Sequence, residues 1–157
     1  MEEKKFYITK EKFKELKEEY KNLLVIEFKK TRGEIPKIFE SEDINPEYLN
    51  FQEDLGFLRS RIGELESILK NYEIIKRPAK NEQNIVWLGA KVVVAVEGEK
   101  DEFMIVGTLE ANPSLGKISN ESAVGKSLMG HKIGDEIVVS SPIKVAYKIL
   151  KINYRSS

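Results

Sequence analysis

The side chains with chemistry to offer crowd into one short stretch. Glu40, Glu42, Asp43 and Glu47 fall within eight residues. Asn45-Pro46-Glu47 reads as the N-cap and first two positions of a helix, whose positive end favours acids by a few tenths to ~1 kcal/mol. Helix electrostatics therefore explains these carboxylates without any ligand, and on the residues alone acids with a chemical task stand as the alternative. Little else competes. The 157-residue chain has no cysteine, which removes disulfides, thiol nucleophiles and cysteine zinc sites. Its single histidine, His131, sits between two glycines in GHKIGD as a turn residue and cannot by itself build a histidine metal cage. With 26 basic and 26 acidic residues the formal net charge is zero, so any hold on nucleic acid needs a local patch. No apolar run approaches the ~20 residues of a membrane span, and the chain is expected in the cytoplasm, away from membranes.

The acids must be positioned by the segments on either side. Phe51, Leu55, Leu58, Ile62, Leu65, Leu69 and Tyr72 recur at steps of four and three, the seam of a helix that packs along another helix. From Pro46 to Tyr72 this helix is roughly 40 Å long at 1.5 Å per residue. Phe13, Leu16, Tyr20 and Leu23 repeat the spacing, and Leu24 and Phe28 continue the apolar face after a drift. Thr9 is a candidate N-cap, and Gly33 and Pro36 end the first helix near Arg32. A short connection makes the pair an antiparallel hairpin. The hairpin takes residues 1–75, with its acidic tip near 33–47. A coiled-coil dimer or a bundle fragment would show the same pattern.

After Tyr72 the periodicity stops. Residues 76–84, rich in proline, asparagine and charge, read as a linker. From residue 85 to 157 the chain reads as a small sheet domain. Val92 to Val96 form a strand expected to be buried on both faces. Glu97-Gly98 is a turn, and Phe103–Val106 and Glu136–Val139 are further strands. Ser122 and Gly130 bracket a short helix with Val124 and Leu128 inward. In the last strand Val145, Tyr147 and Ile149 hold one phase and Leu150, Ile152 and Tyr154 the other, the mark of a bulge or bend.

These residues resemble the Gre family of bacterial transcript-cleavage elongation factors, GreA and GreB, over nearly the whole chain. Tyr7-Ile8-Thr9-Lys10-Glu11 with Phe13, Leu16 and Leu23 is similar to the family's opening. Asn45-Pro46-Glu47-Tyr48, Gly56-Phe57 and Arg61-Ile62-Gly63-Glu64-Leu65-Glu66 are similar to its long helix. Ile118-Ser119-Asn120-Glu121-Ser122-Ala123-Val124-Gly125 through Gly130, then Gly134-Asp135-Glu136-Ile137, resemble its C-terminal motifs. The resemblance implies an α+β fold, a coiled-coil hairpin followed by an antiparallel sheet domain like that of FK506-binding proteins.

It also implies a role. The hairpin would enter the secondary channel of RNA polymerase, and Asp43, with Glu42, would help hold the polymerase's Mg2+ and promote cleavage of backtracked RNA. The protein would have no cofactor of its own and would not be an enzyme itself. It would act as a monomer and meet RNA and DNA only within the elongation complex. Ser119, Ser122 and Gly125 would lie in the loop that docks on polymerase, and Lys29, Lys30, Arg32 and Lys37 would face RNA or the channel, unless they are merely solvated. The tip departs from the family pattern: Glu42-Asp43-Ile44-Asn45-Pro46-Glu47 is two residues shorter and lacks the second acid. A channel-binding regulator or inhibitor without cleavage is the alternative, and an FKBP-like or coiled-coil chaperone is one of another class.

Overall fold

The computed structural model describes residues 4–33, 46–140 and 143–154. Helix α1 spans Lys10–Arg32 and helix α2 Pro46–Lys70, about 35 and 38 Å of helix at 1.5 Å per residue. Gly33 closes α1, its N–H still donating to Lys29 O at 2.9 Å. Pro46 opens α2, where its missing N–H costs nothing and Glu47 meets the helix dipole.

The two helices form one unit and run antiparallel, because their cross-pairs step in opposite directions along the chain. Tyr20 Oη donates to Glu66 at 2.9 Å, Glu27 accepts from Arg59 at 3.2 Å, and Lys30 lies 3.9 Å from Asp54. Phe13 stacks on Tyr72 with ring centroids 4.7 Å apart. Leu16, Leu55, Ile62, Leu65 and Ile68 are buried along the seam. One expectation is corrected: Leu24 and Phe28 do not continue the seam but face solvent. The strict alternation of steps places Glu27 and Lys30 there instead, both partly covered and both paired to α2. The α1 side of the seam is thus apolar or aromatic as far as Leu23 and charged beyond it, while α2 keeps Phe51, Leu55 and Leu58 facing the charged part.

The best-formed cross-pair is Arg61 with Glu19, whose two oxygens accept at 2.7 and 2.9 Å while Arg61 also reaches Glu64 at 3.1 Å. The Arg61 hydrogen bonds hold the Glu19 carboxyl below its ordinary value of 4.5. A depressed carboxylate stabilises the fold above its unfolded value, and that contribution disappears as pH falls through the lowered folded one. Glu19→Gln is therefore expected to remove on the order of 1 kcal/mol at neutral pH and nothing in strong acid. The difference between wild type and variant, read by ellipticity at 222 nm across an acid titration in low salt, checks this.

The second unit joins Lys5–Lys10 to the chain from Glu73 onward. Strand β1, Phe6–Ile8, pairs with β2, Tyr72–Ile74, and Ile75 N donates to Ile8 O at 2.8 Å. Gly107 lets β1 pass closely, since a Cβ at this position would sit 1.8 Å from Tyr7 O. Residues 76–84 hold a single tight turn at Lys80–Glu82, tied by Gln83 donating to Pro78 O.

The main sheet has five strands, β3 (Ala90–Val96), β4 (Glu99–Val106), β5 (Lys117–Ser119), β6 (Glu136–Val139) and β7 (Val145–Tyr154), in the order β5-β4-β3-β7-β6. Three pairings are antiparallel and β4–β5 is parallel, which corrects the expected antiparallel sheet to a mixed one: the chain between β4 and β5 crosses over through the turns at Thr108–Glu110 and Pro113–Leu115 instead of reversing in a hairpin. The β3–β4 turn is Glu97-Gly98, both left-handed, as a two-residue hairpin requires. The change of phase in β7 is a bulge: Val93 faces Lys151 and Val94 faces Ile149, leaving Leu150 as the extra residue. Ile149 and Ile152 thereby both reach the core with Val86, Val92, Val94, Ile105 and Leu128.

Burial of β3 on both faces is also corrected. Val92 and Val94 are fully buried, but Val93 and Ala95 are half-covered and Lys91 is exposed. One face of this sheet packs on the core, and the other looks to solvent, as antiparallel sheets allow.

Candidate functional site

Three groups of residues carry the functional expectations. Of the acids, Glu47 lies in the first turn of α2, whereas Glu40, Glu42 and Asp43 lie outside the described residues, as does Lys37. Among the described residues no cluster of His, Asp and Glu converges as a metal site would need.

The basic group occupies the last turn of α1, where Lys29, Lys30 and Arg32 complement the negative end of the helix dipole. Two of them have partners within the hairpin. Lys30 lies over the Phe51 ring at 5.4 Å besides approaching Asp54, and the Arg32 guanidinium sits 4.8 Å from the Phe28 ring. They are neither simply solvated nor wholly free for another molecule.

The third group is the loop from Ser119 into α3, Ala123–Leu128. Ser119 O accepts from Ser122 N at 3.0 Å and from Ser122 Oγ at 2.7 Å, and Ser122 Oγ accepts in turn from Gly125 N at 3.1 Å. Ser119 Oγ accepts from Glu121 N at 3.0 Å and lies 3.0 Å from Thr108 Oγ1, which donates to Glu121 at 2.7 Å. Both serine hydroxyls are thus spent inside the loop. Gly125 is buried because a Cβ there would stand 2.0 Å from Ser119 O. The three motif residues shape the loop, and what it offers to solvent is Glu121, Ala123 and Lys126. Sequence reading chose the shapers over the presenters because motif spacing marks backbone demands, while exposed positions carry no periodic signal.

A further residue was missed. Glu110, in the turn Thr108–Glu110, accepts from Thr9 N at 2.9 Å and Thr9 Oγ1 at 2.6 Å. Thr9 was legible as the residue before a helix, but a carboxylate 101 positions away was not. The aromatics of the sheet unit are engaged separately. Phe103 and Tyr147 meet edge-on at 6.3 Å against the core, the Tyr154 hydroxyl donates to Ile85 O, and Trp87 is exposed.

Hairpin and loop together define a class: an antiparallel two-helix finger, charged on the α1 side of its seam toward the connection, joined in sequence to a small mixed-sheet domain with a serine-capped loop. The comparisons with known proteins give the class its family. Residues 6–74 match the N-terminal domain model of the GreA/GreB transcription elongation factors, and residues 81–154 match their C-terminal domain model. The chain is 40% identical over 156 residues to transcription elongation factor GreA of Clostridium acetobutylicum, covering 96% of this chain and 98% of that one. It is 37% identical over 141 residues to GreA of Thermomicrobium roseum, covering 86% and 88%. Among solved structures, GreA factor homolog 1 of Thermus thermophilus aligns at 24% identity with a TM-score of 0.42, covering 96% of this chain and 99% of that one. The chain belongs to the GreA/GreB family and is a transcription elongation factor. No described helix is long and apolar enough to cross a membrane.

Proposed function

We propose that this factor binds RNA polymerase, inserts its hairpin into the secondary channel and promotes cleavage of backtracked RNA in arrested complexes. The observation that carries the reading is the hairpin itself: helices of 23 and 25 residues, antiparallel, with the connecting segment holding Glu42 and Asp43. Such a finger supplies reach, and the chemistry stays with the polymerase, so the factor is a stimulator and not an enzyme. Asp43 is the carboxylate offered toward the polymerase's Mg2+, an ion that takes few protein carboxylates and keeps several waters. The loop shaped by Ser119, Ser122 and Gly125 is the docking element of the sheet domain. The factor acts as a monomer in the cytoplasm and meets nucleic acid only within the elongation complex. The shortened tip sequence favours one second reading, a channel-binding regulator without cleavage.

Stalled complexes of purified bacterial RNA polymerase test this directly. The wild-type factor is expected to release short 3′ RNA fragments, and Asp43→Asn to lose at least tenfold in rate while still binding. Binding without cleavage by the wild type would turn the reading to a regulator, and absence of binding would end it.

A further inference from the structure

Helix α1 lacks half of a capping box in its own sequence. Thr9 precedes its first residue, and three positions after Thr9 stands Lys12, where a capping box has a Glu or Gln reaching back to the N-cap N–H. Glu110 makes that bond from 101 positions away: one carboxylate oxygen accepts from Thr9 N at 2.9 Å and the other from Thr9 Oγ1 at 2.6 Å. The turn that carries it, Thr108–Glu110, is pressed against the strand leading into the helix. A Cβ on Gly107 would stand 1.8 Å from Tyr7 O and 2.9 Å from Tyr7 C, so the two backbones touch. The same turn also meets the serine loop, where Thr108 Oγ1 donates to Glu121 at 2.7 Å and lies 3.0 Å from Ser119 Oγ. One short turn thus joins the root of α1, which belongs with the sheet unit as far as Lys10, to the loop from Ser119 into α3.

We infer that Glu110 is a positioning residue for the hairpin: it fixes the root of α1 to the docking loop, so that docking of the loop favours insertion of the helices. This rests on the channel reading above and adds the group that links its two binding elements. Two elements of one chain on one partner help each other only as far as their connection is stiff, because a swivelling joint spreads the second element over directions that miss its site. A single hydrogen bond at the root would leave such a swivel. Two donors on one carboxylate, a backbone N–H and a hydroxyl, fix direction as well as distance, and bonds to an ionised acceptor are the stronger kind. Helix stability alone needs no distant residue, since a Glu or Gln in place of Lys12 would complete the cap locally. Where the chain returns from the hairpin, Tyr72–Ile74 is held by its own pairing with Phe6–Ile8. The joint that Glu110 holds is therefore the one at Thr9 and Lys10.

The test uses the full chain and purified bacterial RNA polymerase, with affinity read by fluorescence anisotropy and cleavage in stalled complexes read at saturating factor. Glu110→Ala is expected to melt a few degrees below wild type at 222 nm, to bind roughly tenfold more weakly and to keep the maximal cleavage rate within about twofold. Adding Lys12→Gln to that variant rebuilds a capping box inside the helix and restores the net charge of wild type. The melting curve should then return, and the weakened binding should persist. Lys12→Gln alone is expected to bind as wild type does. If the double variant recovers wild-type affinity, Glu110 is only a helix cap and the inference fails. It fails equally if Glu110→Ala binds as tightly as wild type, if Lys12→Gln alone weakens binding to the same extent, or if Glu110→Ala slows cleavage at saturation with affinity unchanged. In each of these cases the channel reading stands, whereas a wild type that does not bind overturns the channel reading itself. For a factor that binds without cleaving, the affinities alone decide.

Discussion

Gly125→Ala is expected to destabilise the sheet unit by about 3 kcal/mol and to lower its melting temperature by about 15 °C. Helix propensity alone gives the opposite sign, since alanine is better than glycine in a helix by about 1 kcal/mol. The close approach decides. A Cβ on Gly125 would stand 2.0 Å from Ser119 O, 2.9 Å from Ser119 C and 3.0 Å from Ser122 Oγ. The first two are backbone atoms and cannot rotate away. Ser119 is held in place by its β5 pairing with Val106 and by the two donors from Ser122. The start of α3 must therefore move off the loop, and the Ser122 cap on Gly125 N is lost with it. Thermal unfolding followed by the fluorescence of Trp87, which lies in this unit, measures the effect. An unchanged or raised midpoint would remove the steric explanation. On the proposed docking role, the same variant should also bind polymerase more weakly.

Leu65→Ala is expected to cost the hairpin about 3–4 kcal/mol, within the range for a buried leucine that leaves a cavity. Leu65 is fully buried and is one of five buried positions on the two helices, so little neighbouring core can collapse into the gap. Phe57→Ala is the matched control. It removes a larger side chain from an exposed position on the same helix and should change stability by less than about 0.5 kcal/mol. Urea titrations monitored at 222 nm compare the two. Equal losses would mean that the seam does not hold the hairpin.

Much of the hairpin is legible in the sequence because helix packing writes itself in local spacing. The seam of the second helix from Phe51 to Leu65, the Pro46-Glu47 start and the Gly33 stop are each readable within a few positions of where they act, whereas the last two expected members fall away: Ile68 is buried in place of Leu69, and the helix ends at Lys70, leaving Tyr72 to strand β2. Leu24 and Phe28 misled for a related reason. Apolar residues one and five positions beyond Leu23 look like a drifting stripe, and only the partner helix, through Arg59 and Asp54, keeps Glu27 and Lys30 in the seam. The phase change in the last strand was likewise readable, since alternation that slips by one residue has no relaxed alternative to a bulge. The β5 strand and its parallel pairing left no such trace, as three residues are too few for a period to show.

Within the candidate site, Ser119, Ser122 and Gly125 were identifiable as a motif, but their jobs were not. That Gly125 must be glycine depends on where Ser119 O lies, and that Thr9 is held by Glu110 depends on two segments meeting from opposite ends of the chain. By itself the sequence determined the family, the two helices and the four longer strands of the C-terminal region, all of which rest on contacts between near neighbours or on motif order. The tertiary structure alone decided that the first strand belongs with the sheet unit, which glycines tolerate no side chain and which apolar residues remain in water. Each of these depends on a group distant in the chain, and local periodicity carries no record of distant groups.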